Sequence, residues 1–241
     1  MKERLFVVSA HTADWVWRCS GAVATYLKAG ADVSVVCLTL GARSESGELW
    51  KDAETTIEEV KSIRREEVVN VAKKLGVSQL EVWDYDDCPL VAGPEILQRL
   101  NAKIREVQPT VIITHDPSDC TNFDHGVANE IVSRALLMSR QGGIATGGLA
   151  PVKNVQIYGM EPAQPERSGF MPQVFIDITE VIEEKKAAMA CVKSQPNTPA
   201  RHTHTSALRG IQAKAMPGGE GIQYAECFSA RLPVIVRGKL P

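Results

Sequence analysis

Short apolar runs rich in Val, Ile and Leu alternate with longer segments whose apolar positions recur at helical spacing. That alternation is the signature of βαβ units wound around a mostly parallel sheet. The runs predict strands over 4–10, 32–39, 79–85, 110–115, 154–160 and 173–178. Between them, Ile57, Val60, Ile63, Val71 and Leu75 mark one helix face, and Ile96, Leu97, Leu100, Ile104 and Val107 mark another that opens at Pro94. Two more helices are expected over 124–139 and 178–193, and Gly- and Pro-rich loops over 142–151 and 161–172. The segment 195–222 carries Pro196, Pro199, Pro217 and three glycines between 218 and 221, so it reads as a long lid or binding loop. The expected fold is α/β and Rossmann-like, a mostly parallel twisted sheet with helices on both faces, formed as a single domain over 1–241 because no linker interrupts the pattern.

Composition narrows the partners. The formal net charge of -2, with Lys and Arg interspersed among acids, excludes a strongly basic nucleic-acid surface. No apolar stretch reaches the roughly 20 residues of a membrane-spanning helix, and no signal peptide precedes the first strand, so a soluble protein is expected. Cys19, Cys37, Cys88, Cys120, Cys191 and Cys227 form no CxxC pair and read as free thiols in a reducing cytoplasm. A small-molecule substrate is the partner that remains.

The candidate chemistry lies where the apolar runs stop. Leu5–Ala10 ends in His11 and, three residues on, Asp14. Thr110–Thr114 ends in His115, and the following loop carries Asp124 and His125. Open α/β sheets bind ligands at the carboxyl ends of their strands. Two histidine nitrogens, a carboxylate oxygen and an open position form the usual protein shell of a catalytic zinc. Taken alone, the first pair has another reading, with Asp14 capping the helix that begins near Trp15 and His11 half-buried in the core. His115, beside Asp116, is read as orienting a ligand.

The chain resembles the LmbE-like or PIG-L family of zinc-dependent proteins, best known as N-deacetylases of amino-sugar compounds. The resemblance rests on Ala10-His11-Thr12-Ala13-Asp14 against the family's Ala-His-Pro-Asp-Asp, on Leu38-Thr39-Leu40-Gly41, and on Arg64 to Glu67 leading to Leu75-Gly76. It continues through Asp124-His125, Asp177-Ile178-Thr179, Lys186, Ser194-Gln195 and Tyr224 to Phe228. It implies the LmbE-like fold, a zinc ion held by His11, Asp14 and His125, and a homo-oligomer. Two departures stand out. Ala13 replaces the aspartate that serves deacetylases as general base, and Asn122 replaces the first histidine of the usual His-Pro-Asp-His motif. In these departures, in Ser9 to Arg18 and in the loop Gly41 to Trp50, the chain is similar to the branch of 4-oxalomesaconate hydratases of bacterial gallate degradation.

That resemblance implies addition of water across a C=C bond conjugated to a carbonyl, in a small tricarboxylate. Such a step needs a base for water, an electrophile and an acid for carbon. With Ala13 inert, Glu45 and Glu48 in the loop after the second strand are the candidate bases, with Glu48 preferred. Arg18, Arg43 and Arg201 are candidate carboxylate clamps, since guanidinium matches a carboxylate with two parallel hydrogen bonds. His202 and His204 would point the same way if extended, and are expected to serve as substrate clamp and acid. Arg64 and Glu67, at i,i+3, are expected to be a structural pair, exposed or partly buried. Trp15 and Trp17 read as pocket wall or core, and Tyr224 and Glu226 as fixing the C-terminal segment. The competing functions are a deacetylase in which Glu48 or Asp124 replaces the missing base, and a non-catalytic relative that binds metal or ligand.

Overall fold

The structure is a computed structural model and describes residues 2–232. Its seven strands are β1 (Arg4–Ser9), β2 (Asp32–Thr39), β3 (Gln79–Tyr85), β4 (Val111–His115), β5 (Gln156–Met160), β6 (Val174–Asp177) and β7 (Ala225–Ala230). They form one sheet in the order β3-β2-β1-β4-β5-β7-β6. The first five are parallel, and β7 runs antiparallel to both neighbours. The helices are α1 (Asp14–Lys28), α2 (Ile57–Leu75), α3 (Pro94–Val107), α4 (Phe123–Ser139), the single turn α5 (Pro165–Ser168), α6 (Ile182–Met189) and α7 (Thr198–Lys214).

Alternation along β1 separates two cores. Leu5 and Val7 pack with Trp15, Cys19, Val68, Val71 and Met189 on the face covered by α1, α2 and α6, whereas Phe6 and Val8 pack with Ile96, Leu100, Ile131 and Val132 under α3 and α4. Both faces of β1 are therefore buried, which is why its sequence is a continuous apolar run. Local signals fix the helix ends. Thr56 and Glu59 form a reciprocal capping box at the start of α2, which stops at Gly76 in the left-handed conformation. Pro94 opens α3.

Chain order reverses between β1 and β4: β2 and β3 extend to one side and β5 to the other. Such a switch point leaves a crevice at the carboxyl ends of the two strands. His11 and Asp14 follow β1, and Asp119, Asp124 and His125 follow β4, so the fold itself brings the two sequence motifs together.

Four features differ from the sequence expectation. The segment expected as a loop over 195–222 holds the 17-residue helix α7, which places a proline in its first turn. Pro199 thus starts a helix instead of breaking one, since the first turn has no use for its missing N–H. Strand β7 was not expected, because Glu226 interrupts its apolar pattern; the carboxylate is buried against Lys185 Nζ at 2.5 Å. The helix expected over 178–193 is a short 3-10 turn followed by the eight residues of α6. On α2, Ile63 is exposed, whereas Arg64 and Glu67 are buried. Among the described residues no helix is long and apolar enough to cross a membrane, and all six cysteines are unpaired.

The chain returning to β7 lies directly on α7. A Cβ at Gly210 would stand 2.0 Å from the carbonyl oxygen of Gln223, so only glycine permits this approach. Gly210→Ala is expected to cost about 1–3 kcal/mol or more through overpacking. At roughly 2–4 °C per kcal/mol for a chain of this size, a thermal melt should move by several degrees. An unchanged Tm would refute the contact.

Candidate active site

Asp14 is the centre of the site. Its Oδ2 accepts the backbone N–H of His11 at 2.8 Å and lies 3.1 Å from His11 Nδ1, while its Oδ1 lies 3.3 Å from His125 Nε2. Glu45 Oε1 is 3.8 Å from His11 Nδ1. Ligand atoms of His11, Asp14, Glu45 and His125 all lie within 4.8 Å of one another. The loop bearing Glu45 can come this close because Gly41, at φ +64, lets the chain turn, and a Cβ there would stand 2.9 Å from His11 Cβ.

A carboxylate stands behind each histidine. His11 Nε2 lies 3.1 Å from Asp124 Oδ2, and Asp124 is itself fixed by the backbone N–H groups of Cys88 at 2.9 Å and Leu90 at 2.8 Å. His125 Nδ1 lies 2.8 Å from Asp119 Oδ2, which also accepts Arg18 NH1 at 2.7 Å. Burial works against the charged form of Asp119, yet His125 and Arg18 hold its carboxyl well below the usual range. An ionised Asp119 can only accept, so it draws the His125 proton to Nδ1 and leaves the Nε2 lone pair facing Asp14. That Nε2 is buried and has no hydrogen-bond partner.

The electrostatics converge on the same point. Burial opposes ionisation of Asp14, but His125, His11 and His115 hold it well below the carboxylate range. Burial likewise opposes charge on His11, yet Asp14, Asp124 and Glu45 outweigh it and hold that imidazolium up at about 10. With its Nδ1 proton on Asp119, a neutral His125 would turn its Nε2 lone pair toward the Asp14 carboxylate 3.3 Å away, an arrangement that a cation between them satisfies. The residues therefore fit a divalent metal, with His11 Nδ1, His125 Nε2 and an Asp14 oxygen as donors and Glu45 or water completing the set. His115 does not offer its Nε2, which accepts the Ala10 N–H at 2.9 Å. Its ring stacks on His125 with centroids 4.1 Å apart, and burial, followed by the adjacent His125, pushes its pKa down to about 3.

The structure does not bring every expected residue to this centre. Glu48 is exposed and paired with Lys51 Nζ at 2.6 Å, while Glu45 is the glutamate that reaches His11. Asn122 Nδ2 donates to Glu45 Oε1 at 2.8 Å, and Gln195 Nε2 donates to Glu45 Oε2 at 3.0 Å. Arg43 points to Asp86 at 2.6 Å on the surface. Arg18 is buried and occupied by Asp119, so it supports a ligand histidine instead of standing free for substrate. Because 198–214 is helical, His202 and His204 project about 200° apart: His202 is buried and His204 exposed. Asp124 is saturated by His11 and two backbone groups, which removes it as a replacement base.

Asp119 carries no signal that separates it from Asp116 in the same loop. The supporting layer was legible only as spacing. Arg64 donates to Leu40 O at 3.2 Å and to Ser194 Oγ at 3.0 Å, while Glu67 accepts the Ser194 N–H at 2.6 Å. This buried clamp fixes Gln195, which also accepts Trp17 Nε1 at 3.1 Å.

Comparison with known proteins adds five findings. The sequence model of the family described as PIG-L, GlcNAc-PI de-N-acetylase, matches residues 6–136. Over 234 residues the chain is 38% identical to a 4-oxalmesaconate hydratase of Pseudomonas putida, covering 94% of this chain and 88% of that protein. A probable N-acetyl-alpha-D-glucosaminyl L-malate deacetylase 2 of Bacillus cereus is 25% identical over 207 residues, covering 85% of this chain and 89% of that protein. Among solved structures, the 4-carboxy-2-hydroxymuconate hydratase from Pseudomonas putida superposes with a TM-score of 0.94 at 36% identity, covering 99% of this chain and all of that one. The N,N'-diacetylchitobiose deacetylase of Pyrococcus horikoshii shares the fold at a TM-score of 0.76 and 22% identity, covering 95% of this chain and 83% of that one.

Proposed function

The chain belongs to the PIG-L family, and from that premise we propose that it is a zinc-dependent hydratase adding water across the conjugated C=C bond of 4-oxalomesaconate, a hydro-lyase of gallate breakdown. The observation that carries this reading is the placement of Glu45. The two positions that, by the family resemblance, hold the deacetylases' general base and the histidine that stabilises the tetrahedral intermediate are here Ala13, which can take no proton, and Asn122, which is spent on holding Glu45. Glu45 in turn is aimed at the His11 side of the ligand set from a different loop.

Zinc, when bound by His11, Asp14 and His125, supplies a Lewis acid toward a 2-oxo-acid oxygen or water. The rest falls to the chain. Glu45 takes a proton from a water molecule whose oxygen bonds to one carbon of the double bond, the adjoining carbon takes a proton from solvent, and Glu45 returns its proton to solvent, so the π bond is replaced by one C–O and one C–H bond. Asn122 and Gln195 hold both Glu45 oxygens, which keeps the carboxylate from swinging onto His11. Asp119 and Asp124 hold the two imidazoles in the required tautomers.

The test is a spectrophotometric assay with 4-oxalomesaconate beside an N-acetylglucosamine conjugate. The metal-loaded protein should bleach the conjugated absorbance of the first and release no acetate from the second. Acetate release without bleaching would reverse the assignment to a deacetylase, and neither reaction would leave a binding protein.

A further inference from the structure

A cavity is lined in part by Arg18, whose NH2 lies 3.4 Å from His125 Nδ1. It measures about 140 Å³, against the ~10–15 Å³ that a single water needs. Trp17, Arg18, Lys185, Arg201, His202 and Arg209 contribute to its wall. Helix α7 supplies Arg201, His202 and Arg209 at spacings that put them on one side of the helix.

The cations of this wall are not equivalent. Arg18 is neutralised by Asp119, Lys185 by Glu226 at 2.5 Å, and Arg209 by a fork on Glu161. Among the described residues Arg201 has no carboxylate within ion-pair distance; its NH2 lies 3.4 Å from His202 Nε2. His202 adds no charge of its own, because burial, and then Lys185, Arg18 and Arg201, hold its pKa well below the usual value. Trp17 stacks on the His202 ring at a centroid distance of 5.8 Å and is tied through Gln195 to Glu45. The wall also includes the carboxylate of Glu166, so what distinguishes this cavity is one guanidinium without a carboxylate partner among the described residues, Arg201, a fixed neutral imidazole beside it, and a hydrogen-bonded link through Trp17 and Gln195 to Glu45.

We propose that this cavity seats one carboxylate arm of the substrate, remote from the end at the metal, and that Arg201 with His202 selects for that arm. The inference rests on the hydratase reading and deepens it by dividing substrate recognition between two places. Arg43 has no part in it, and Arg18 contributes to the cavity wall while it is held by Asp119.

The test is calorimetric binding to the zinc-loaded protein of propane-1,2,3-tricarboxylate, which is unreactive and carries three carboxylates, and of pyruvate, which offers only the 2-oxo-acid end. Arg201→Met should weaken the tricarboxylate about 10–100-fold, the loss of one charge-assisted fork, and leave pyruvate within about twofold. Arg201→Lys should recover part of the loss, since it restores charge without the planar fork. Equal tricarboxylate affinity in wild type and Arg201→Met, or equal losses for both probes, would overturn the assignment. Should wild type fail to hydrate 4-oxalomesaconate yet bind the tricarboxylate through Arg201, the function falls and the cavity stands. Hydration that is unaffected by Arg201→Met gives the reverse.

Discussion

His125→Ala is expected to purify without stoichiometric metal and to lose hydration activity to background. His125 sits in the first turn of α4 with Nε2 turned toward Asp14, and that orientation comes from Asp119 behind Nδ1. Removing the imidazole leaves two protein donors, too few for a tightly held zinc. Asp119→Asn should act by degree: the ligand remains, but its tautomer is no longer enforced, and metal affinity should fall about 10–100-fold. His204→Ala is the matched control, because that histidine is exposed on the outer side of α7. Elemental analysis of the three purified variants, with chelator titrations for Asp119→Asn, measures these effects. Stoichiometric metal in His125→Ala would remove it from the ligand set.

What the sequence could convey about this molecule follows from which forces act locally. Strands β1 and β4 are buried on both faces, so their apolar runs are unbroken and their ends, at His11 and His115, can be read directly. The switch point between them follows from the βαβ rhythm, and with it the meeting of His11, Asp14 and His125. Strand β7 is hidden because the charge that breaks its pattern, Glu226, is satisfied by Lys185 and by the N–H groups of Gly21 and Ala22, partners about 40 and 200 residues away in sequence. Helix α7 is hidden for a different reason: its Pro, Thr and His content argues for a loop, and its burial against β6 and β7 overrides that propensity.

The choice between two glutamates shows the limit most sharply. Glu45 and Glu48 lie three residues apart in one loop, and no rule of composition or spacing prefers either. The decision is made by the left-handed turn at Gly41, by Ser46 Oγ donating to the Gly41 carbonyl at 2.9 Å, and by the 3-10 turn that starts at Leu49. Together they swing Glu45 inward onto Asn122 and Gln195 and leave Glu48 on the surface with Lys51. Arg43 goes outward in the same turn, to Asp86.

Glu45→Gln should therefore lower kcat by about 100-fold or more while KM moves little, the pattern expected when a proton-transfer group is removed but binding contacts survive. Glutamine keeps the shape and can still accept from Asn122, although its NH2 gives up the hydrogen bond from Gln195, and the main missing function is the basic oxygen. Glu48→Gln should run near the wild-type rate, because its carboxylate faces solvent and Lys51. Steady-state kinetics on both variants must be paired with their metal content. Retained zinc with a depressed kcat identifies Glu45 as the group that moves the proton. A Glu45→Gln protein that has lost its metal would make Glu45 a ligand instead of a base, and one with normal kcat would remove it from the chemistry altogether.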